Sequence, residues 1–583
     1  MALNEIRVGI WPLLSVWALG VAAYAGKAAY TAASVPLILD SDDAMRLNQV
    51  HDLLAGQSWF DLVQHRLNTP FGTELHWSRL VDLPEAALLF VLRPLAGAAA
   101  DTVAAYVWPA LLLLGLLWAT ARLAMRLGGP GGRWPALLLA PVSVAAIGEF
   151  VPGRFDHHAP QILLSLAILS CTIGALERPR LALGAGVAAA AALAIGIESL
   201  PVIVPAVMAF ALMWVVAPRH AAAMRDFALS FATAAALALA LGVPPAEWFL
   251  LRLDCISIVY VAGAVLCALA FGVLSILPLA SPPLRLAAAL LAGALGLALL
   301  LWLDPAILAG PYAALDPWLV RNWLAHITEA QTWLQSFAAD PTYPLAATVP
   351  VLVGFGWALW SARQPGTRGR YLVVAGFLLA GLLVMLIQIR AARLVTPLAV
   401  PAGAALVDAL WRRLVVRPSL WRALAVAAAA VFSAGFAVAA VAAALPLSKT
   451  RPLTPGHLAC IAPQAFAPLR DLPARRVMAP TDLGSHLLLF TPHAVVGAPY
   501  HRDQQGLIDT LRFFDGPIGE ALDILRARGV TLVVVCPGMA ELDGVVAASP
   551  DSFAALAAQG RHPAWLAPIP ASGPLLIYAV RAP

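Results

Sequence analysis

The 583-residue chain is 61% hydrophobic and 12% charged, with a mean hydropathy of +0.82. Soluble globular domains carry roughly 25% charged residues, so this composition excludes one and points to a polytopic membrane protein with helical spans. The net charge of +5 and pI of about 9.1 would suit a nucleic-acid binder, but the arginines fall in short turns between apolar runs, where they set topology, and no nucleic-acid partner is expected.

Val8–Leu39 is the first apolar run. It is too long for a signal-peptide core and has no convincing cleavage site, so a retained helix is expected. Residues 40–100 form a long loop that is not simply polar. Arg46–Gly56 reads as an amphipathic helix, and Trp59, Phe60, Trp77 and Leu80 suit a membrane interface. Farther on, arginines cluster at Arg122–Arg133, Arg178–Arg180, Arg219–Arg225, Arg285, Arg363–Arg370 and Arg412–Arg422. Placing all of these turns in the cytoplasm gives one consistent threading. Its spans are 9–38, 102–121, 135–150, 160–175, 181–198, 200–217, 227–243, 259–277, 285–302, 345–361, 371–388, 394–410 and 421–445. That makes about thirteen helices, with the N-terminus cytoplasmic and the C-terminus outside. The outer side then holds the loops 40–100 and 303–343, the turn around Asp156, and the Ile197–Pro201 turn with Glu198.

The composition changes after Leu445. Arg476–Met478, Ala494–Val496, Thr531–Val535 and Leu575–Val580 read as strands, and Ile518–Arg528 and Ser552–Gln559 as helices. Residues 446–583 are therefore expected to form a small periplasmic α/β domain beyond a membrane domain of residues 1–445. None of the five cysteines, Cys171, Cys255, Cys267, Cys460 and Cys536, forms a CxxC. Cys460 and Cys536 share the C-terminal segment, where they are either a disulfide or two buried thiols. Scarce lysine with abundant Ala, Arg and Pro suits a GC-rich bacterial genome, hence a bacterial inner membrane.

Four charged groups converge on the outer face in this threading. They are Asp40-Ser41-Asp42-Asp43-Ala44-Met45-Arg46, then Asp156-His157-His158, then Ile327-Thr328-Glu329 through Trp333, and finally Arg390 with Arg393. Each has a plain reading: a helix N-cap with acidic first-turn residues, a polar interfacial turn, a loop-helix cap, and arginines snorkelling to lipid head groups. Together, carboxylates with an imidazole can hold Mn²⁺, Mg²⁺ or a similar ion, and adjacent arginines can grip phosphate oxygens. A phosphate leaving group needs such a combination.

On these motifs the chain resembles the catalytic subunit of oligosaccharyltransferases, within the GT-C superfamily of membrane glycosyltransferases. That family has thirteen transmembrane helices and a C-terminal domain outside. Its first outer loop runs from an Asp to an Arg, as Asp40–Arg46 does in length. Its metal pair takes the form D-x-D, D-x-E or D-x-H, and Asp156-His157-His158 is similar to the last. Ile327-Thr328-Glu329 is similar to the family's T-I-x-E or S-V-S-E loop, and Arg390 to its arginine on a late helix.

The resemblance implies a metal-dependent transferase that takes a sugar or glycan from a polyprenyl-(di)phosphate donor. It implies catalytic roles for Asp40, Asp42 and Glu329, with Asp40 and Asp42 not separable. It implies metal ligands among Asp40, Asp43, Asp156 and His158, and substrate contacts from Arg46, His157, Arg390, Arg393 and Asp482. The family's W-W-D-x-G acceptor motif becomes Pro480-Thr481-Asp482-Leu483-Gly484 here, without the tryptophans. The acceptor is therefore expected to be a glycan, a lipid or a protein other than an N-x-S/T sequon. His486, His493, Tyr500, His501, Arg502 and Asp503 follow as further residues that could face the site. The alternatives are a lipid-linked glycan flippase and a non-catalytic scaffold. A transporter needs charges near the bilayer midplane, whereas these cluster at outer ends.

Overall fold

A computed structural model describes residues 8–444 and 453–581; the expected domain boundary at 445/446 lies outside them. Among the described residues, ten helical segments are long and apolar enough to cross a membrane. Two shorter apolar helices, Leu181–Ile195 and Leu420–Ala434, and the segment 133–149 occupy the remaining expected spans. The first span is shorter than expected, Ile10–Thr31. Two spans read as continuous are broken. Arg133–Leu139 and Val144–Glu149 are separated by a tight turn containing Pro141, and the Ser143 side chain caps the second piece by accepting from Ala146 N–H. The last span breaks at Gly435, whose φ of +81° is left-handed. Ser143 and Gly435 pair with each other by backbone, so each break helps satisfy the groups the other exposes.

The arginine turns gather at one end of the bundle. Arg126 donates to Ser170 O, Arg370 pairs with Glu177 and donates to Arg126 O, and Arg412 donates to Gly128 O. The motif-bearing loops lie at the other end of the same helices.

The first loop is more structured than its sequence suggests. The helix Ser41–Leu54 is buried from Asp43 through Val50. It does not lie on a membrane surface: it is wedged between the helix Thr481–Phe490 of the C-terminal domain and a second loop helix, Arg79–Ala96. That second helix was not expected, because Pro84 and Pro94 inside it and the buried Asp82 and Glu85 obscure its apolar face. Between the two helices, β1 (Val63–Gln64) and β2 (Thr73–Glu74) form a short antiparallel pair.

The C-terminal sheet contains β3 (Arg476–Met478), β4 (Ala494–Val495), β5 (Leu532–Val535), β6 (Leu566–Ile569) and β7 (Leu576–Val580), in the order β4-β3-β5-β7-β6. β3 is parallel to both neighbours, and β7 is antiparallel to both of its own. The four strands read from sequence are present; β6 is additional, its run interrupted by Pro568. Met45, Leu67, Leu75 and Trp77 of the first loop belong to this domain's hydrophobic core. Cys460 and Cys536 form a disulfide closing 76 residues, with Cα atoms 5.9 Å apart. Cys460→Ser is expected to cost about 2–4 kcal/mol, read as a lower unfolding midpoint of the purified protein.

Candidate functional site

The site is built around the turn Val151–His157. Gly153 has φ +95°, and its N–H donates to Ala105 O at 2.8 Å. A Cβ there would lie 1.9 Å from Leu37 O, so only glycine fits. Gly153→Ala is expected to cost about 2 kcal/mol or more from φ strain and the clash, and to weaken metal binding in a calorimetric titration.

Arg154 then turns inward. Its Nη1 donates to Asp40 Oδ2 at 2.9 Å and Asp43 Oδ2 at 2.8 Å, and its Nη2 to Glu149 Oε2 at 2.8 Å. Asp156 Oδ2 lies 3.5 Å away. One guanidinium thus offsets four carboxylates, which hold it charged. Sequence reading assigned it no role. The available signal was an arginine on the face that the arginine-rich turns avoid, where it must be paired.

Asp43, expected among the metal ligands, instead organises the turn. Its Oδ1 accepts the N–H groups of Phe155 at 2.7 Å and Asp156 at 2.8 Å, and its Oδ2 is held by Arg154. Both oxygens are occupied by protein donors. Arg46, expected to contact substrate, is only 1% exposed. It donates to Asp82 at 2.7 Å and stacks 4.4 Å from the Trp77 ring, so it supports the wall from behind.

Asp156 has one oxygen committed and one open. Oδ1 accepts the His157 N–H at 2.6 Å and lies 2.5 Å from His157 Nδ1. Oδ2 is buried without a hydrogen-bond partner, 3.3 Å from His158 Nε2. Burial opposes ionisation of Asp156, but His157, His158 and Arg154 together hold its carboxyl well below the usual range. The ligating atoms of Asp156, His157 and His158 all lie within 4.8 Å of one another. His157 is pinned through Nε2 to Glu198 at 2.7 Å; burial would lower its pKa, yet Asp156 and Glu198 push it up to about 10. Held at Nδ1 by Asp156 and at Nε2 by Glu198, His157 orients its neighbours. The Asp156 oxygen without a hydrogen bond and the His158 Nε2 beside it are a donor set that fits a divalent cation.

Asp40 caps the helix Ser41–Leu54, accepting from Asp42 N–H at 3.0 Å. Its carboxyl is held low: burial opposes this, and Arg154 outweighs it. Asp42 lacks such a partner, and burial with Asp40 and Asp156 nearby pushes it well above the usual range. Glu329 accepts from Arg390 Nε at 3.1 Å and pairs with Arg393. Arg390 also donates to Tyr312 at 3.2 Å, and Arg393 Nε lies 3.5 Å from Glu149 Oε1. Glu149 therefore joins the two halves, one oxygen toward Arg154 and the other toward Arg393. It lies at the end of a run read as a plain span, which hid it.

Two cavities meet along this network. One, of about 680 Å³, is lined by Asp40, Glu149, Arg154, Glu329, Tyr343, Arg390 and Arg393. The other, of about 600 Å³, is lined by Asp40, Asp42, His158, Glu329, Arg390, Asp482 and Tyr500, among others. Asp40, Glu329 and Arg390 border both. Of the C-terminal residues considered, Tyr500 and His501 line the second cavity, whereas His486, His493 and Asp503 are buried within their domain. Thr481, where the family has tryptophan, is 3% exposed; its N–H and hydroxyl donate to Glu541 at 3.0 and 2.5 Å.

No protein-family model matches the sequence, and no curated protein matches it either. Solved structures do. The archaeal oligosaccharyltransferase AglB from Archaeoglobus fulgidus, in complex with an inhibitory peptide and a dolichol-phosphate, is 13% identical, with a TM-score of 0.66 over 91% of this chain and 70% of that one. The Archaeoglobus fulgidus enzyme tethered with an acceptor peptide containing the NVT sequon gives 0.65 at 13% identity, over 99% and 75%. Its complex with Zn and sulfate gives 0.62 at 15% identity, over 98% and 73%. At such identities the likeness is one of architecture. The chain has the fold of this archaeal oligosaccharyltransferase.

Proposed function

We propose that the protein is a membrane glycosyltransferase that moves a sugar or glycan from a polyprenyl-phosphate or polyprenyl-diphosphate donor to an acceptor on the periplasmic side. The observation that carries this is the convergence of Asp40, His158, Glu329 and Arg390, from four distant segments, on two cavities that share a wall. Two substrates can then meet at one carboxylate-rich point.

Asp156 and His158, with Asp40 or Asp42, would hold Mn²⁺ or Mg²⁺, which when bound offsets charge on the departing phosphate. The acceptor nucleophile attacks the anomeric carbon, and the carbon–oxygen bond to phosphate breaks with its electron pair going to the phosphate. Whichever of Asp40 and Asp42 is not on the metal orients the nucleophile and accepts its proton. Arg390 and Arg393 supply positive charge to the leaving group, with Glu329 releasing them as the loop 303–343 closes over the substrate. Arg390 and Arg393 as substrate contacts, and Asp482 on the cavity wall, are parts of this proposal.

The disulfide supports a periplasmic C-terminal domain, because such bonds persist in oxidising compartments. The small, buried Thr481 and the preceding Pro480 leave no aromatic platform, which supports an acceptor other than an N-x-S/T sequon. Purified protein given a polyprenyl-diphosphate sugar and a periplasmic glycan or lipid extract should release polyprenyl diphosphate. Release should stop in EDTA and return with Mn²⁺. Full release in EDTA would overturn the metal role, and transfer to a sequon peptide at the same rate would overturn the acceptor assignment.

A further inference from the structure

The proposed reaction leaves unused a second set of ligating side chains in the wall of the 600 Å³ cavity. His76 comes from the first loop, Asp254 from the connection after the helix Ala221–Gly242, and His501 from the C-terminal domain. Their ligating atoms all lie within 4.8 Å of one another. His501 Nε2 is 2.9 Å from Asp254 Oδ2, and the two imidazole centroids are 4.5 Å apart. His76 Nδ1 is buried and has no hydrogen-bond partner. A buried ring nitrogen normally finds a hydrogen-bond partner, so His76 Nδ1 is left available to a ligand.

Arg502 holds Asp254 from behind, Nε to Oδ2 at 2.6 Å and Nη2 to Oδ1 at 3.0 Å, and reaches Glu74 at 3.1 Å through Nη1. An outer partner of this kind orients a metal-binding carboxylate.

We infer that His76, Asp254 and His501 form a second divalent-cation site, separate from the Asp156 centre. Two imidazoles and one carboxylate with a position left open are a donor set that suits zinc. Around zinc at about 2.0–2.1 Å, neighbouring ligand atoms stand roughly 3.4 Å apart, so His501 and Asp254 part slightly while His76 closes in. The cation takes the place of the proton between His501 Nε2 and Asp254 Oδ2, that proton leaves to water, and Arg502 keeps its hold on Oδ1. The open position faces the cavity, where an anionic substrate oxygen can complete it. The ion also ties three segments far apart in sequence.

The test is zinc stoichiometry of the full-length protein in detergent, stripped with chelator, reloaded and dialysed. Wild type should hold two ions per chain. His76→Gln and His501→Gln should each hold one, and so should Asp156→Asn. His501→Gln combined with Asp156→Asn should hold none. Cobalt added to Asp156→Asn, whose second site is intact, should give d–d absorption that disappears on adding His501→Gln. Wild-type stoichiometry in both histidine variants, or no cobalt band in Asp156→Asn, overturns the second site. A loss confined to Asp156→Asn would do so while leaving the proposed reaction standing.

Discussion

Asp156→Asn is expected to lower glycosyl transfer by more than ~100-fold while the protein stays folded. Replacing a group that merely orients a metal ligand typically costs 10–100-fold, and Asp156 would be a ligand itself. Asparagine keeps the volume and can keep the Oδ1 contact with the His157 N–H. It places an amide nitrogen where the buried, unpartnered Oδ2 now faces His158 Nε2 at 3.3 Å. A cation would then meet a donor hydrogen instead of a lone pair. Turnover and manganese titration should fall together, with the melting temperature within a few degrees of wild type. Unchanged metal affinity would remove Asp156 from the metal site.

Arg154→Ala should show the opposite balance, a large loss of stability with activity lost as a consequence. The guanidinium touches Asp40, Asp43 and Glu149 within 2.9 Å, and Asp43 and Glu149 are 1% and 7% exposed. Removing one partner of a buried pair leaves uncompensated charge, at about 3–5 kcal/mol. The released carboxylates must then take up protons to remain buried. The variant should therefore be less unstable at pH 5 than at pH 8, because acid supplies those protons. Thermal unfolding at both values checks the sign. Arg154→Lys should recover only part of the loss, since an ammonium cannot reproduce the planar fork.

The membrane architecture was legible because span length and arginine placement act locally, and each leaves its mark within one segment. The motif residues were legible for a related reason: carboxylates and histidines at span ends are costly unless used. Distant pairings were not legible. Asp40 and Asp43 both looked like ligands, and only the fold shows Asp43 turned to the backbone of Phe155 and Asp156. Arg46 ends the first motif at the expected spacing, yet it lies beneath Trp77. Glu149 belongs to a broken helix whose break depends on Gly435, far along the chain. His76 and Asp254 carry no local pattern at all; they meet through docking of the C-terminal domain.

The wedge formed by Ser41–Leu54 has a consequence for biosynthesis. Met45, with Leu67, Leu75 and Trp77 of the same loop, packs into a core whose remaining members lie from Cys460 onward, and the Ser41 carbonyl accepts from Tyr500 at 3.0 Å. The Asp40 carboxylate is thus made among the first residues translated, but the surface that seats its helix emerges among the last. A ribosome would have finished the whole bundle, and the C-terminal domain would have folded, before the acidic motif acquired its final position. The order of synthesis acts as a quality check, because a prematurely terminated chain would carry every membrane helix and still lack a seated acidic loop.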